Sequence, residues 1–103
     1  MTDIRRATNS PQQIGADEEI PFWVDTSDWP GTGDPTSVNV ELKKYPDLSD
    51  ASALLQGTSS VNGNIITCER IVGADAGAMY RLEVKWTKGG AVQECYIDIE
   101  VTI

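Results

Sequence analysis

The side chains that most enzymes use for acid–base and nucleophilic chemistry are sparse in this chain. The sequence contains no histidine, the commonest general base and metal ligand at neutral pH. Without histidine, neither a Ser-His-Asp nor a Cys-His arrangement can be assembled. The Gly31-Thr32-Gly33 stretch precedes neither a Lys-Ser/Thr pair nor a helical pattern, so it does not indicate a phosphate-binding loop. The sequence therefore predicts a protein that is not an enzyme and that uses no cofactor.

Three aspartates, Asp25, Asp28 and Asp34, fall within one turn-rich stretch, DTSDWPGTGDP. Carboxylate oxygens are ligands for Ca²⁺, but this spacing does not fit the twelve-residue calcium loop, which ends in a glutamate. Aspartates in turns usually accept hydrogen bonds from their own backbone. We therefore predict no metal site.

The two cysteines, Cys68 and Cys95, each lie in a strand-like segment. A disulfide between them would require their Cα atoms to lie within about 7 Å, and the sequence leaves this pairing open. Reduced thiols packed as small apolar side chains are the preferred interpretation. Two thiols without any histidine make a weak zinc site.

Aromatic side chains are the remaining candidates for recognition. A core this small must be filled partly by aromatic rings, and we assign Trp23 and Trp86 to the core or its edge. Trp29 lies in the turn-rich loop, where its ring either caps one end of the core or marks a contact surface. We predict Trp29 and Tyr96 as protein-contact residues.

Alternation of apolar and charged residues defines the elements that would position these side chains. In Ala78–Trp86, AMYRLEVKW, every second residue is apolar, which is typical of a half-buried strand. Tyr80 lies at the start of this strand, where β-sandwich domains often carry a structural corner tyrosine. A second alternating run, Val92–Ile103, follows the Lys88-Gly89-Gly90 turn and completes a hairpin.

Other strand and turn signals precede this hairpin. The Asn62-Gly63 pair predicts a tight type I′ turn, in which both central residues have positive φ. Residues 47–57 are compatible with a short helical turn or with a strand that carries Leu54 or Leu55 into the core. The remaining predicted strands are Ile20–Val24, Ser37–Tyr45 with Val38, Val40 and Leu42 inward, and Ile65–Ile71 with Ile66 and Cys68 inward.

These elements predict one all-β domain. Residues 1–19 are polar and without periodicity, which favours a flexible N-terminal arm. Residues 20–103 contain about seven short strands separated by turn signals, which indicates an antiparallel β-sandwich. A small closed β-barrel is the alternative.

Charge and hydropathy restrict the partners and the location. Sixteen acidic and eight basic residues give a formal net charge of −8, which disfavours binding to a nucleic-acid backbone. No stretch approaches the roughly 20 consecutive apolar residues of a membrane span. No apolar segment typical of a secretory signal follows the first residues. We therefore expect neither nucleic-acid nor membrane binding, and a location in the cytoplasm or in a particle released by lysis.

Two stretches resemble small bacteriophage and prophage structural proteins with an immunoglobulin-like fold. Glu18–Trp29, EEIPFWVDTSDW, is similar to their acidic and aromatic entry strand with its Ser-Asp-Trp turn. Val61–Thr67, VNGNIIT, followed by Gly73–Trp86, is similar to the hairpin and the following Tyr-Arg-Leu-Glu-Val strand in their later half. The resemblance covers roughly residues 18–101.

The resemblance implies an immunoglobulin-like sandwich acting as a non-catalytic virion component, such as a head–tail, tail or decoration protein. Its partners would be other virion proteins or copies of itself, and it would be found in the virion or the host cytoplasm. The alternative function is an immunoglobulin-like module that binds a surface glycan or protein through Trp29, Tyr45 and Tyr96. The resemblance implies no catalytic residue.

Overall fold

The computed structural model describes residues 5–6 and 12–102. Within these ranges the chain forms ten strand segments and one short 3-10 turn, Ser52–Leu54. The strands are β1 (Arg5–Arg6), β2 (Gln12–Gly15), β3 (Pro21–Asp25), β4 (Thr36–Lys44), β5 (Ser49–Asp50), β6 (Leu55–Gln56), β7 (Ser60–Asn62), β8 (Ile65–Ile71), β9 (Met79–Lys88) and β10 (Ala91–Thr102). None of the described segments is a helix with the length and apolar character needed to cross a membrane.

The strands form two sheets that share one core. Sheet A has the order β1-β10-β9-β4-β5, with β2 also paired to β10. Sheet B has the order β3-β8-β6, with β7 also paired to β8. The core contains Leu82 and Ile97 from sheet A together with Val24 and Ile66 from sheet B. The predicted all-β sandwich is confirmed, and because the sheets do not close on each other the barrel alternative is wrong.

The β9–β10 hairpin supplies most of the core. Its antiparallel pairing runs from Lys88 opposite Ala91 to Met79 opposite Glu100. The inward apolar side chains are at most 1% exposed; they are Tyr80, Leu82, Val84 and Trp86 on β9 and Cys95, Ile97, Ile99 and Val101 on β10. Both inward sets are the ones that the alternation predicts. Ile103, predicted on the same face, lies outside the described residues.

The predicted inward faces of β4 and β8 are also confirmed. On β8, Ile66 and Cys68 are 0% and 2% exposed. On β4, Val40 and Leu42 are buried, whereas Val38 is half-buried next to a shift in the register with β9.

The N-terminal residues contribute to sheet A. β1 and β2 pair parallel to β10, whereas the other strand pairs in the described ranges are antiparallel. Ile14 of β2 is 3% exposed and belongs to the core, and Thr102 Oγ1 donates to its carbonyl oxygen at 3.1 Å. Residues 12–15, assigned to the arm by their polarity, are thus a strand of this sheet.

The turn between β7 and β8 differs from the predicted one. Asn62 pairs with Ile65, so the two central residues are Gly63 and Asn64. Of these only Gly63 has positive φ, at +59°. The type I′ prediction is therefore wrong, because that turn requires positive φ at both positions; glycine at the first central position is the pattern of type II′.

Both interpretations of residues 47–57 hold for neighbouring parts of the segment. The 3-10 turn ends at Leu54, and β6 then pairs Leu55 with Ile71 of β8. Leu54 and Leu55 are half-buried and pack against the core.

Tyr80 joins the start of β9 to the chain that precedes it. Its side chain is 1% exposed, and its Oη accepts a hydrogen bond from the backbone N–H of Asp75 at 3.1 Å. The contact spans five residues and lies at the bend between β8 and β9. This geometry has the form of a tyrosine corner, in which the hydroxyl bonds to backbone a few residues upstream.

We expect Tyr80→Phe to lower the free energy of unfolding by about 1 kcal/mol, because the Asp75 N–H loses its acceptor. Urea denaturation monitored by circular dichroism measures the change. Thr58→Val removes a hydroxyl at an exposed position; it is the control and should change the free energy by less than about 0.5 kcal/mol. Equal effects of the two substitutions would contradict a corner role for Tyr80.

Candidate functional site

Three connecting segments meet at one end of the sandwich. We call this region the loop end; it comprises residues 25–35, the β7–β8 turn at residues 63–64, and the β9–β10 turn at residues 89–90. The side chain of Thr26 is fully buried. Its backbone N–H and its Oγ1 both donate to the carbonyl oxygen of Asn64, each at 2.8 Å. The first loop is thereby joined to the β7–β8 turn.

Lys88, the last residue of β9, ties the same loop to sheet A. Its side chain is 4% exposed. Its Nζ donates to the carbonyl oxygens of Thr26 at 2.7 Å and Trp29 at 3.4 Å. A buried ammonium group is costly unless hydrogen bonds compensate for the water it loses. The carbonyl oxygens of Thr26 and Trp29 supply these hydrogen bonds, so Lys88 holds the loop in place on sheet A.

Gln93, the third residue of β10, forms a second tie. Its side chain is 8% exposed and uses both ends of its amide. Oε1 accepts from the indole Nε1 of Trp86 at 2.9 Å, and Nε2 donates to the carbonyl oxygen of Pro30 at 2.7 Å. The buried indole N–H and the loop backbone are satisfied by one side chain.

Trp29 lies over this network. Its ring centroid is 4.8 Å from that of Trp86, with the two planes at 77°, an edge-to-face arrangement favoured by aromatic quadrupoles. Trp29 is half-buried and packs against the core. Its ring therefore caps one end of the core while part of it remains at the surface, and its role as a protein contact stays a prediction.

The loop end presents exposed carboxylates. Asp25 Oδ1 accepts from the backbone N–H of Ser27 at 2.9 Å, and hydrogen bonds from the backbone and side chain of Ser27 lower the pKa of Asp25. Asp28 and Asp34 are also exposed. In the described part of the chain, no group of three or more Asp, Glu, Cys or His side chains is placed to hold a metal ion.

Tyr96 lies elsewhere, on the outer face of sheet A. The guanidinium carbon of Arg81 is 4.0 Å from the centroid of the Tyr96 ring. Nearby, Tyr45 Oη donates to Asp98 Oδ1 at 2.7 Å, and burial together with this hydrogen bond raises the pKa of Tyr45 to about 12. The structure thus brings Tyr45 and Tyr96 to one face of the sheet, whereas Trp29 is at the loop end.

The assignment of Trp23 to the core or core edge is wrong, because its side chain is 50% exposed. On β3, Phe22 and Val24 are 5% and 3% exposed, so Trp23 must point to the opposite face. All five residues of the predicted strand, IPFWV, are apolar. Alternation therefore could not distinguish the inward set from the outward set.

The sequence interpretation missed Lys88 and Gln93, although a signal for both is present. Lys88 continues the inward series of every second residue on β9, after Val84 and Trp86. Gln93 precedes Cys95 in the inward series of β10. A polar residue at an inward position of a strand must find buried hydrogen-bond partners. Extending the two alternations by one step each would have identified both residues.

The two cysteines are buried thiols in facing sheets. Cys68 on β8 and Cys95 on β10 are 2% and 0% exposed and are not joined by a disulfide. Burial, with a smaller contribution from the negative charge of Glu69, raises the pKa of Cys68 from 9.0 to about 12. This placement agrees with the preferred interpretation of reduced thiols packed in the core.

We expect the free energy of unfolding to fall as the pH rises above about 9. The folded state keeps the Cys68 proton up to a pKa of about 12, whereas the unfolded chain releases it near pH 8.5 to 9. The unfolded state therefore binds fewer protons in this window, and higher pH favours it. Urea denaturation between pH 7 and pH 10 measures the slope. An equal slope in Cys68→Ala would contradict this assignment.

Comparison of the chain with protein-family models, with curated proteins and with solved structures gives no match. The residues of the loop end and of the two sheet faces therefore carry the functional inference.

Proposed function

We propose that this protein is a non-catalytic assembly component, associated with a phage or prophage virion, that works through protein–protein contacts made by the loop end. The observation that carries the proposal is the fixation of the loop by buried Lys88 and Gln93. A surface that is already ordered loses little conformational entropy when a partner binds. Such a surface suits a permanent contact in an assembly.

The sequence resemblance and the strand order support the same proposal. An immunoglobulin-like domain has one sheet with strands A, B, E and D and another with C, F and G. Here β3, β8 and β6 follow the order B-E-D, and β4, β9 and β10 follow the order C-F-G. The resemblance over residues 18–101 connects this arrangement with virion structural proteins.

The exposed carboxylates indicate what the loop end would contact. Asp25, Asp28 and Asp34 are exposed there, whereas the ammonium group of Lys88 is buried and donates to backbone carbonyls. A complementary surface with lysine or arginine side chains on another virion protein is therefore the favoured partner.

Mass spectrometry of purified particles tests the proposal. We expect the protein in particles from a producing host, and we expect Asp28→Lys/Asp34→Lys to reduce its incorporation at least about tenfold, since two attractive contacts become repulsive. Asp17→Lys/Asp47→Lys makes the same charge change at two exposed positions away from the loop end and is the matched control. Finding the wild-type protein only in the lysate supernatant would refute the virion assignment.

The glycan- or protein-binding alternative relies on Trp29, Tyr45 and Tyr96. These rings lie in two separate places and already contact Trp86, Asp98 and Arg81, respectively. They therefore do not form one aromatic platform for a sugar ring. Binding on a glycan array that is lost in Trp29→Ala would favour this alternative over the assembly function.

A further inference from the structure

Charged residues on the outer face of sheet A are arranged in two stripes that run across the strands. Glu41 of β4 lies directly opposite Glu83 of β9, and two residues further along Lys43 lies opposite Arg81. We call the first pair the acidic stripe and the second the basic stripe. Like charges directly opposite on neighbouring strands are destabilising. Directly across the two strands, each of these charges therefore lacks a partner of opposite sign.

Contacts along each strand satisfy these charges only loosely. Lys43 Nζ is 3.6 Å from a carboxylate oxygen of Glu41, and Arg81 Nε is 3.5 Å from one of Glu83. The Arg81 Nε atom is buried and forms no hydrogen bond, so its contact with Glu83 is an ion pair only. The side chains of Glu41, Lys43 and Glu83 are 48%, 25% and 25% exposed, so their charges remain available for further contacts.

A two-fold axis would bring the two stripes of one copy over the opposite stripes of another. Residues two apart on a strand are separated by about 7 Å. A two-fold axis that lies in the interface, perpendicular to the strands and midway between the stripes, places the acidic stripe of one copy over the basic stripe of the other. Glu41 then faces Lys43 of a second copy, and Glu83 faces Arg81. Every such contact occurs twice, as in an isologous interface.

We propose that the outer face of sheet A binds a second copy of this chain through the acidic and basic stripes. The inference rests on the proposed assembly function and names one partner for it. The self-complementary charge pattern is what selects a second copy over an unrelated protein, whose stripes would have to match in sign, spacing and direction.

Tyr96 takes part in the same pairing. It lies opposite Glu83 in the row of the acidic stripe, and Asp98 lies opposite Arg81 in the row of the basic stripe. The same axis therefore places the Tyr96 hydroxyl of one copy over the Asp98 carboxylate of the other. Tyrosine and arginine are the residue types that most often dominate binding energy at interfaces. The predicted contact role of Tyr96 thus acquires a specific partner.

The rows beyond the stripes limit the extent of the interface. Glu94 lies one row beyond Tyr96 and Glu100 one row beyond Asp98, both on β10, so the axis would bring the two carboxylates together. The twist of the sheets separates these outer rows, and water can screen them. The attraction is therefore concentrated in the central four charges of each copy and should weaken as salt increases.

Two single charge reversals and their combinations test the pairing with purified full-length protein. In Glu41→Lys, two lysines meet across the axis, and in Lys43→Glu, two glutamates meet. Each variant alone should therefore associate at least about tenfold more weakly than the wild type. An equimolar mixture of the two variants restores opposite charges and should form heterodimers. The double variant Glu41→Lys/Lys43→Glu also restores them and should form homodimers.

Sedimentation equilibrium at low and at physiological ionic strength measures these states, and mutual rescue shows that the variants are folded. A wild-type chain that remains monomeric, a wild-type dimer unaffected by either single reversal, or a mixture that does not pair would each overturn the inference. These results leave the virion assignment untouched, because incorporation into particles is measured separately with Asp28→Lys/Asp34→Lys.

Discussion

Gln93→Leu is expected to lower the free energy of unfolding by about 3 kcal/mol, because one buried and one part-buried polar group lose their partners. The loss is about 1 to 3 kcal/mol for the buried group and smaller for the other. The indole N–H of Trp86 would lose its acceptor, and Trp86 is 0% exposed. The carbonyl of Pro30 would lose the donor that holds the loop. Leucine has a similar volume but supplies neither hydrogen bond. Urea denaturation followed by circular dichroism measures the loss.

Two comparisons separate this effect from a general effect of the substitution. Gln56→Leu changes an exposed glutamine on β6 and should alter the free energy by less than about 0.5 kcal/mol. In a Trp86→Phe background the indole N–H is already absent, so Gln93→Leu should cost less than it does in the wild type. Equal costs in the two backgrounds would show that the Trp86–Gln93 hydrogen bond does not contribute to stability.

The parts of the fold that could be predicted from the sequence are those with strict alternation. On β9 and β10, charged residues separate the apolar ones, so the buried face is unambiguous. The alternation failed at β3, where both faces are apolar and Phe22 and Val24 displaced Trp23 from the core. The parallel pairing of β2 with β10 joins residues about 87 positions apart. No local pattern in four residues, QQIG, encodes that contact.

At the loop end, the position of the loop could be predicted from the sequence, but the contacts that hold it could not. Its composition identified residues 25–35 as a turn-rich loop, and the aspartates marked it as polar. Its order depends on Lys88 and Gln93, which lie about 60 residues later in the chain. Turn chemistry predicts where a chain reverses, but the partners that hold a loop in place are set by the packing of the sheets. The stripes on sheet A likewise depend on the register between β4 and β9.

The closest backbone approach at the loop end predicts a second large effect. A Cβ atom on Gly89 would lie 2.8 Å from the Cα of Gly31 and 3.0 Å from the backbone nitrogen of Thr32. Gly89 also has a φ of +57°, which costs an L-residue about 1 kcal/mol or more. Both contacts are to backbone, so relief requires the loop to move. We expect Gly89→Ala to lower the free energy of unfolding by about 3 kcal/mol, strain and overpacking together.

Gly90→Ala is the matched control, because Gly90 has a similar φ of +80° but no atom within 4 Å of the position a Cβ would take. It should cost only the backbone strain, about 1 kcal/mol. The difference between the free energies of unfolding of the two variants measures the contribution of the contact between the β9–β10 turn and the loop. If the loop end is the assembly surface, Gly89→Ala should also reduce incorporation into particles more than Gly90→Ala does. If Gly89→Ala loses stability as predicted but is incorporated into particles as well as Gly90→Ala is, the rigidity of the loop is not required for assembly.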